Sequence, residues 1–222
     1  MRIPPATDVP LSPRVRRLID TAPLRRLHRI SQLGMVGLVY PGATHSRMEH
    51  TFGVYHNALC LLARFAEDSA FTQLVSVPKQ EAFVLAALLH DVGHWPYCHP
   101  IEDMCLEQVG QHESRVAHWM RNSEIADCVR EDWQCDVEDV VALLDPQAAG
   151  GEGSDDPANR FLTSCLSGPI DVDKLDYLPR DSMHAGVPYG RNFDGGRLIG
   201  SMCVHPASPR LAISEKGRTA AE

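Results

Sequence analysis

The chain has 222 residues, 44% of them hydrophobic, and a formal net charge of −8 at pH 7. This is the composition of a soluble globular protein with a substantial core, and its acidic balance argues against general nucleic-acid binding. There is no apolar run long enough to cross a membrane, no signal-peptide pattern, and no C-x-x-C pair among the seven cysteines. We therefore expect one cytoplasmic domain over residues 1–222, without membrane or nucleic-acid partners.

The first predicted elements are short helices. Ser12 and Pro13 read as the cap and first residue of one helix, and a second begins near Pro23. These helices carry a concentration of arginines, which predicts either solvated helix faces or an anion-binding or subunit-contact surface. The arginines are Arg14, Arg16, Arg17, Arg25, Arg26 and Arg29. Glycines and β-branched residues then predict a loop or a short extended segment over 32–46.

Two longer helices follow. Ser46 and Glu49 fit a capping box that begins a helix extending to about residue 66, so His50 falls in its first turn. The next helix, over 78–91, is apolar nearly all round, which indicates a central buried position. It ends in His90 and Asp91, where a following glycine and proline break it.

The remainder of the chain is also predicted to be mostly helical. Helices are expected over 102–109, 113–121, 123–133 and 137–144. The Gly/Ala/Asp-rich stretch over 146–160 has no hydrophobic periodicity and predicts a mobile surface loop, after which helix resumes. Two short strands are expected near 201–206 and 210–214. The predicted fold class is therefore all-α, with minor short β elements near the C-terminus.

Two imidazoles and two carboxylates form a candidate metal-ligand set. They are His50, His90, Asp91 and Asp173. Nitrogen and hard oxygen donors of this kind suit a divalent metal and leave room for a water that the metal activates. The alternative is that His90 and Asp91 only cap backbone groups at the end of their helix. The dense histidines that follow, His94, His99 and His112, favour a site.

A second candidate lies around Asp173. At helical spacing Asp173, Lys174, Tyr177, Arg180 and Asp181 share one polar stripe, with Leu175 and Leu178 on the opposite side. Such a stripe is often only a solvated helix face. Its mixture of carboxylates, ammonium, phenol and guanidinium would also suit a ligand that carries phosphates and hydroxyls.

The motifs "YPGATHSRMEH", "ALLHDVGHWPYCH", "HE" and "GPIDVDKLDYLPRDSMHAGV" occur in this order. The chain thereby resembles the HD-domain superfamily of metal-dependent phosphohydrolases over nearly its whole length. More narrowly, it is similar to the branch that contains the sterile-alpha-motif/HD-domain dNTP triphosphohydrolase and its bacterial relatives. The resemblance also implies that residues 1–222 lack C-terminal helices that the longer members carry.

The resemblance implies a role for each motif residue. It assigns one divalent metal ion (Fe, Mn, Ni, Zn or Mg) to His50, His90, Asp91 and Asp173. It makes His94 the catalytic acid or base, oriented by Glu113, with His112 shaping the phosphate site. Substrate contacts would come from Arg47 and Lys174 to phosphates, from Gln32, Leu33, Tyr177 and Asp181 to the sugar, and from His99 in the pocket wall.

The implied reaction splits a dNTP into a deoxynucleoside and triphosphate with metal-activated water. Two alternatives stay open: a phosphodiesterase or phosphatase acting on another phosphorylated metabolite, and a non-catalytic nucleotide-binding HD module. The expected partner is a nucleotide or another phosphorylated small molecule, and the expected assembly is a homo-oligomer.

Overall fold

The computed structural model describes residues 1–106, 112–147 and 156–217, except for the side chains of Glu113, Ser114 and Lys216. The described part is mostly helical, which confirms the predicted fold class. Its α-helices are α1 (Pro13–Ile19), α2 (Ala22–Arg25), α3 (Arg47–Phe65), α4 (Ser69–Leu74), α5 (Val77–Leu89), α6 (Cys98–Glu102), α7 (His112–Arg121), α8 (Glu124–Asp132), α9 (Val137–Leu144), α10 (Pro157–Leu166), α11 (Lys174–Ala185) and α12 (Gly195–Ser201).

Helix α5 forms the centre of the core. Every residue from Glu81 to Leu89 is buried, because the helix packs against α3, α9 and α10. A short 3-10 turn, His90–Gly93, continues directly from its end and carries the His-Asp pair into the interior of the protein. The predicted central helix is therefore confirmed, and its burial fixes the position of the residues that follow it.

Helix α3 lies beside α5 and starts as the sequence predicts. The Ser46 hydroxyl accepts a hydrogen bond from the Glu49 amide at 3.3 Å, which forms one half of the capping box. The Glu49 carboxylate pairs with Arg180 and His184 of α11. This start buries His50 in the first turn, facing the end of α5.

The strands are short antiparallel pairs. The pair β1 (Arg2–Ile3) and β2 (Thr7–Asp8) was not expected from the sequence. The pair β3 (Met202–Val204) and β4 (Leu211–Ile213) confirms the two predicted C-terminal strands. No helix among the described residues has the length and apolar character needed to span a membrane.

Two predicted boundaries are wrong within the described residues. Where the sequence predicted a helix over 102–109, the structure has α6, which begins at Cys98 and ends at Glu102. The loop expected over 146–160 ends before Pro157, where the Asp156 carboxylate caps α10 by accepting from the Ala158 amide at 2.8 Å. A proline after an aspartate is a helix-start signal that the biased composition around it concealed. Residues 107–111 and 148–155 lie outside the described part.

Candidate active site

Three of the four predicted metal ligands, His50, His90 and Asp173, offer ligand atoms that all lie within 4.8 Å of one another, and Asp91 adjoins them. Nε2 of His50 is 3.2 Å from Nε2 of His90 and 3.0 Å from Oδ1 of Asp173. Oδ1 of Asp91 is 3.5 Å from Nε2 of His90. The first turn of α3, the 3-10 turn after α5 and the residue before α11 thus supply one group of donor atoms. We call His50, His90, Asp91 and Asp173 the metal cluster.

A second partner fixes each imidazole of the metal cluster. Nδ1 of His50 lies 2.8 Å from Oδ2 of Asp176, and Nδ1 of His90 lies 2.9 Å from the carbonyl oxygen of Ala87. With Nδ1 engaged in each ring, Nε2 is the nitrogen turned towards the other ligands. Histidines that bind metals are oriented in this way by carboxylates and backbone carbonyls.

Asp176 was missed by the sequence reasoning. It is buried and binds both His50 and Arg180, with Arg180 Nε donating to its Oδ2 at 2.8 Å. A detectable signal was present, since Asp176 follows Asp173 by three residues and so lies on the same side of a helix.

The electrostatics of the metal cluster favour a bound cation. Burial alone would lower the pKa of His50, but hydrogen bonds to Asp173 and Asp176 raise it to about 10. The negative charge of these carboxylates, which favours a proton on His50, would equally favour a divalent ion beside it. Two imidazoles and two carboxylates therefore fit the implied metal in donor type, orientation and charge.

Arg47 contacts the metal cluster through Asp91. Its Nη1 donates to Oδ2 of Asp91 at 2.9 Å, and both side chains are buried. Against the cost of burial, His90 and Arg47 hold the pKa of Asp91 well below its usual range. The Nε of Arg47 is buried and has no hydrogen-bond partner in the described part of the chain.

Three further histidines lie beside the metal cluster. His94 and His112 have ring centroids 3.8 Å apart, and Nε2 of His94 is 3.4 Å from Nε2 of His99. We call His94, His99 and His112 the histidine trio. Glu102 accepts hydrogen bonds from the amide of His112 at 2.6 Å and from its Nδ1 at 3.0 Å.

His94 is the most deeply buried of the histidine trio. Its Nδ1 lies 3.1 Å from Oδ1 of Asp91 but makes no hydrogen bond. Burial lowers the pKa of His94 to about 2 despite the opposing charge of Asp91, so the ring is neutral. The predicted orienting residue, Glu113, lies in the first turn of α7, and its side chain lies outside the described part.

One cavity of about 470 Å³ connects the two groups. The predicted site residues in its wall are Gln32, Leu33, Arg47, His50, His90, Asp91, His94, His99, His112, Asp173, Tyr177 and Asp181. At one side Asp181 Oδ1 lies 2.8 Å from Nε2 of His45, a buried residue that the sequence did not indicate. Residues from across the sequence thus converge on a space of the size that small ligands occupy.

Known proteins resemble the chain in sequence and in fold. An HD domain-containing protein of Acanthamoeba polyphaga mimivirus is 30% identical over 207 residues, covering 85% of this chain and 43% of the viral protein. The deoxynucleoside triphosphate triphosphohydrolase SAMHD1 of Mus musculus is 32% identical over 211 residues, covering 84% of this chain and 31% of its own length. The crystal structure of a phosphohydrolase from Bacteroides thetaiotaomicron has a TM-score of 0.77 at 27% identity, covering 99% of this chain and 50% of that one. The chain belongs to the HD-domain phosphohydrolase family.

The HD-domain chain spans less than half of these two sequence relatives, 43% and 31%, and half of the Bacteroides structure, 50%. The activities in the relatives' names therefore describe longer proteins. No protein-family model matches the chain.

Lys174 is the predicted phosphate ligand that the HD-domain structure does not bring to the cavity. Its Nζ pairs with Oδ2 of buried Asp171 at 2.7 Å, and it is absent from the cavity wall. Asp171 holds Lys174 away from the cavity, because the same carboxylate also accepts from the Lys174 amide at 2.7 Å. Asp173 already has helical backbone angles, φ −70° and ψ −53°, so the polar stripe begins where the sequence predicts.

Other members of that stripe also differ from the prediction. Arg180 is buried and binds Asp176 and Glu49, so it holds the helices together and lines no part of the cavity. Leu175 is buried as expected, whereas Leu178 is 38% exposed. Pro179 lies inside α11 without ending it.

Arg26 is a further residue that supports the HD-domain site. Its guanidinium donates to the backbone carbonyls of Val92, at 2.5 Å, and of His94, so it ties the N-terminal helices to the 3-10 turn. Two other arginines of the N-terminal concentration form ion pairs, Arg14 with Glu81 and Arg17 with Glu131. Neither of the two roles predicted for these arginines from the sequence included hydrogen bonds to backbone carbonyls.

Proposed function

We propose that this chain is a metal-dependent phosphohydrolase that splits a dNTP into a deoxynucleoside and triphosphate. The observation that carries the proposal is that the metal cluster and the histidine trio lie side by side in the wall of one cavity. A metal site alone would suit a binding module, but the buried histidines beside it supply groups that can hold and move protons. The names of SAMHD1 and of the Bacteroides phosphohydrolase support the reaction class.

Unpartnered polar atoms in the wall support a phosphate ester as the substrate. The Nε of Arg47 is a buried donor and the Oε1 of Gln32 a buried acceptor, and neither has a hydrogen-bond partner within the described residues. Buried polar groups without partners are costly. A phosphate oxygen would satisfy Arg47, and a hydroxyl or amino group would satisfy Gln32.

The catalytic roles follow from position. A divalent metal bound to the metal cluster would polarise the α-phosphate and activate water. Arg47 would hold a phosphate oxygen while its Nη1 stays on Asp91. The negative charge of the phosphates would raise the low pKa of His94 towards the range in which a histidine exchanges protons. His94 would then act as acid or base, with His112 and His99 binding the phosphate chain.

The sugar would lie near Tyr177 and Asp181. Because Asp181 is held by His45 at 2.8 Å, its carboxylate is positioned to accept a hydrogen bond from a sugar hydroxyl. The Tyr177 ring stands edge-on to His50 at 6.5 Å between centroids, so a sugar bound at Asp181 would meet this ring beside the metal cluster.

The test is a product analysis with purified protein and Mn²⁺, Fe²⁺, Mg²⁺ or Ni²⁺. Substrates are the four dNTPs, dNMPs and cyclic nucleotides, and products are separated by anion-exchange chromatography. We expect deoxynucleoside and triphosphate in equal amounts, and their loss in His94→Gln. Release of orthophosphate alone would rule out this reaction, and turnover of cyclic nucleotides alone would identify a phosphodiesterase. Light scattering on the same preparation tests the predicted homo-oligomer.

A further inference from the structure

A cysteine lies against the histidine trio in a way that the proposed reaction does not use. One ligand atom each from His94, Cys98 and His112 lies within 4.8 Å of the others. Tetrahedral zinc separates neighbouring S and N ligands by about 3.3–3.8 Å, so these three need movements of only about 1 Å to bind one ion. These residues are distinct from the four of the metal cluster.

Two features of the structure show how the imidazoles are oriented at this place. Nδ1 of His94 faces Oδ1 of Asp91 at 3.1 Å, so Nε2, which is 3.4 Å from Nε2 of His99, is the nitrogen turned towards the histidine trio. Glu102 holds Nδ1 of His112 at 3.0 Å, so Nε2 is the nitrogen with which His112 would bind a metal. A carboxylate behind the imidazole is the arrangement that orients histidines in zinc sites.

We propose that His94, Cys98 and His112 form a second, thiolate-containing site for a zinc-like divalent cation. A thiolate and two imidazoles prefer zinc to the harder ions that suit two carboxylates. His99 lies beside this group, with its Nε2 3.4 Å from Nε2 of His94. Binding replaces the proton on the Cys98 sulfur by the cation and releases that proton to the solvent.

The backbone holds Cys98 in place for this role. Tyr97 has a left-handed conformation, with φ of 59°, and turns the chain so that Cys98 becomes the first residue of α6 and is 2% exposed. Burial raises the pKa of its thiol to about 11, so Cys98 is no reactive nucleophile at neutral pH. Cys98 and His99 also line a smaller cavity of about 150 Å³.

The consequence for turnover rests on the proposed function. A cation held by His94 and His112 would occupy the groups that we assign to the phosphates, so zinc beyond the first equivalent would compete with the substrate. Binding itself can be measured without turnover, which keeps failure of the second site separate from failure of the proposed reaction.

The test uses Co²⁺, whose near-ultraviolet charge-transfer band appears only when a thiolate is a ligand. The metal-free full chain is titrated with Co²⁺. We expect the band in the wild type and in Asp173→Ala, which removes a ligand of the metal cluster. Cys60→Ser is the matched control, because Cys60 also lies beside a histidine, with its Sγ 3.5 Å from Nε2 of His56. This variant should keep the band.

Cys98→Ser should abolish the band while the circular dichroism spectrum stays unchanged. Glu102→Gln, which leaves all three ligands in place, should weaken Co²⁺ binding at this site by about 10–100-fold. Absence of a thiolate band in the folded wild type would overturn the proposal. So would a band that persists in Cys98→Ser. If Cys98→Ser does not fold, an unchanged affinity in Glu102→Gln would overturn it instead.

Discussion

The metal cluster and the histidine trio face the same cavity, but the protein holds them in different ways. In the metal cluster, His50 and His90 each engage Nδ1 with a fixed partner, Asp176 or the Ala87 carbonyl. In the histidine trio, Nδ1 of His94 makes no hydrogen bond, and the His99 side chain is 58% exposed. Glu102 provides a comparable hold for His112 at 3.0 Å and a weaker contact, at 3.5 Å, with Nδ1 of His99.

This difference matches two kinds of chemistry. A metal ligand must keep one geometry, so a second partner that fixes its ring is an advantage. A group that exchanges protons or binds a phosphate must change partners during the reaction, and a missing hydrogen bond in the resting state permits that. Under our proposal, the side chains of the metal cluster are therefore held in place before any ligand binds, whereas the histidine trio would gain its missing partner from a ligand.

The largest effect is expected from Asp173→Ala, which removes a ligand of the metal cluster. The metal should be lost, and activity should fall by more than about a hundredfold, because a ligand contributes more than a second partner does. The fold should survive, since the Asp173 side chain makes no capping hydrogen bond to α11. Metal content by mass spectrometry, activity and circular dichroism test this.

The matched control for Asp173→Ala is Asp127→Ala, which removes an exposed carboxylate paired with Arg130 at 2.8 Å. It should retain metal and activity. If Asp173→Ala keeps a full equivalent of metal, Asp173 is not a ligand, and the metal cluster as we define it is wrong.

Asp176→Ala tests how much the second partner of His50 contributes to metal binding and stability. Asp176 holds His50 and forms a buried ion pair with Arg180, with Oδ1 to Nη2 at 2.8 Å. Its loss leaves a buried guanidinium with fewer partners, so the free energy of unfolding should fall by about 3 kcal/mol. Metal affinity should fall by about 10–100-fold. Urea denaturation and metal titration measure the two effects.

Asp176→Asn serves as the milder companion of Asp176→Ala. It keeps the size and an acceptor oxygen, so it should lose less stability while still weakening the metal cluster. Equal metal affinity in the wild type and in both variants would show that the contact between Asp176 and His50 does not affect metal binding.

Gly53→Ala should disturb the same region without altering a polar group. A Cβ at position 53 would lie 1.7 Å from Oδ1 of Asp176 and 2.7 Å from Nη2 of Arg180, so α3 and α11 would have to separate. We expect a loss of about 1–3 kcal/mol in unfolding free energy and a weaker hold on the metal. Gly200→Ala is the control, because a Cβ there meets no atom within 4 Å. Similar stability losses in both would contradict the close packing.

The sequence could predict the metal cluster because its signals are local. Ser46 begins α3 and thereby places His50, and the apolar run of α5 carries His90 and Asp91 inward. Contacts between distant segments could not be predicted from periodicity. Arg26 lies in an unremarkable basic helix, and its partners are backbone carbonyls 66 and 68 residues away.

The stripe on α11 shows where periodicity fails. Helical spacing places a side chain around the helix axis but does not show which charge it meets. Asp173, Tyr177 and Asp181 line the cavity as predicted, whereas the Asp171 carboxylate holds the Lys174 ammonium at 2.7 Å. The position of a long charged side chain therefore depends on a local partner that periodicity does not reveal.

Lys174→Ala should have the smallest effect on activity and tests where the substrate site ends. Lys174 belongs to neither the metal cluster nor the histidine trio, and its partly exposed ammonium already pairs with Asp171 at 2.7 Å. Asp171 is buried, but without the ammonium it keeps hydrogen bonds from the amides of Gly168 and Lys174. We therefore expect a loss of about 1 kcal/mol in unfolding free energy and less than about a twofold change in KM. Arg47→Ala is the comparison variant, because Arg47 is buried in the cavity wall and pairs with Asp91. It should raise KM and lower kcat together. If Lys174→Ala raises KM as strongly as Arg47→Ala, Lys174 leaves Asp171 to bind the substrate, and the phosphate site extends to the start of α11.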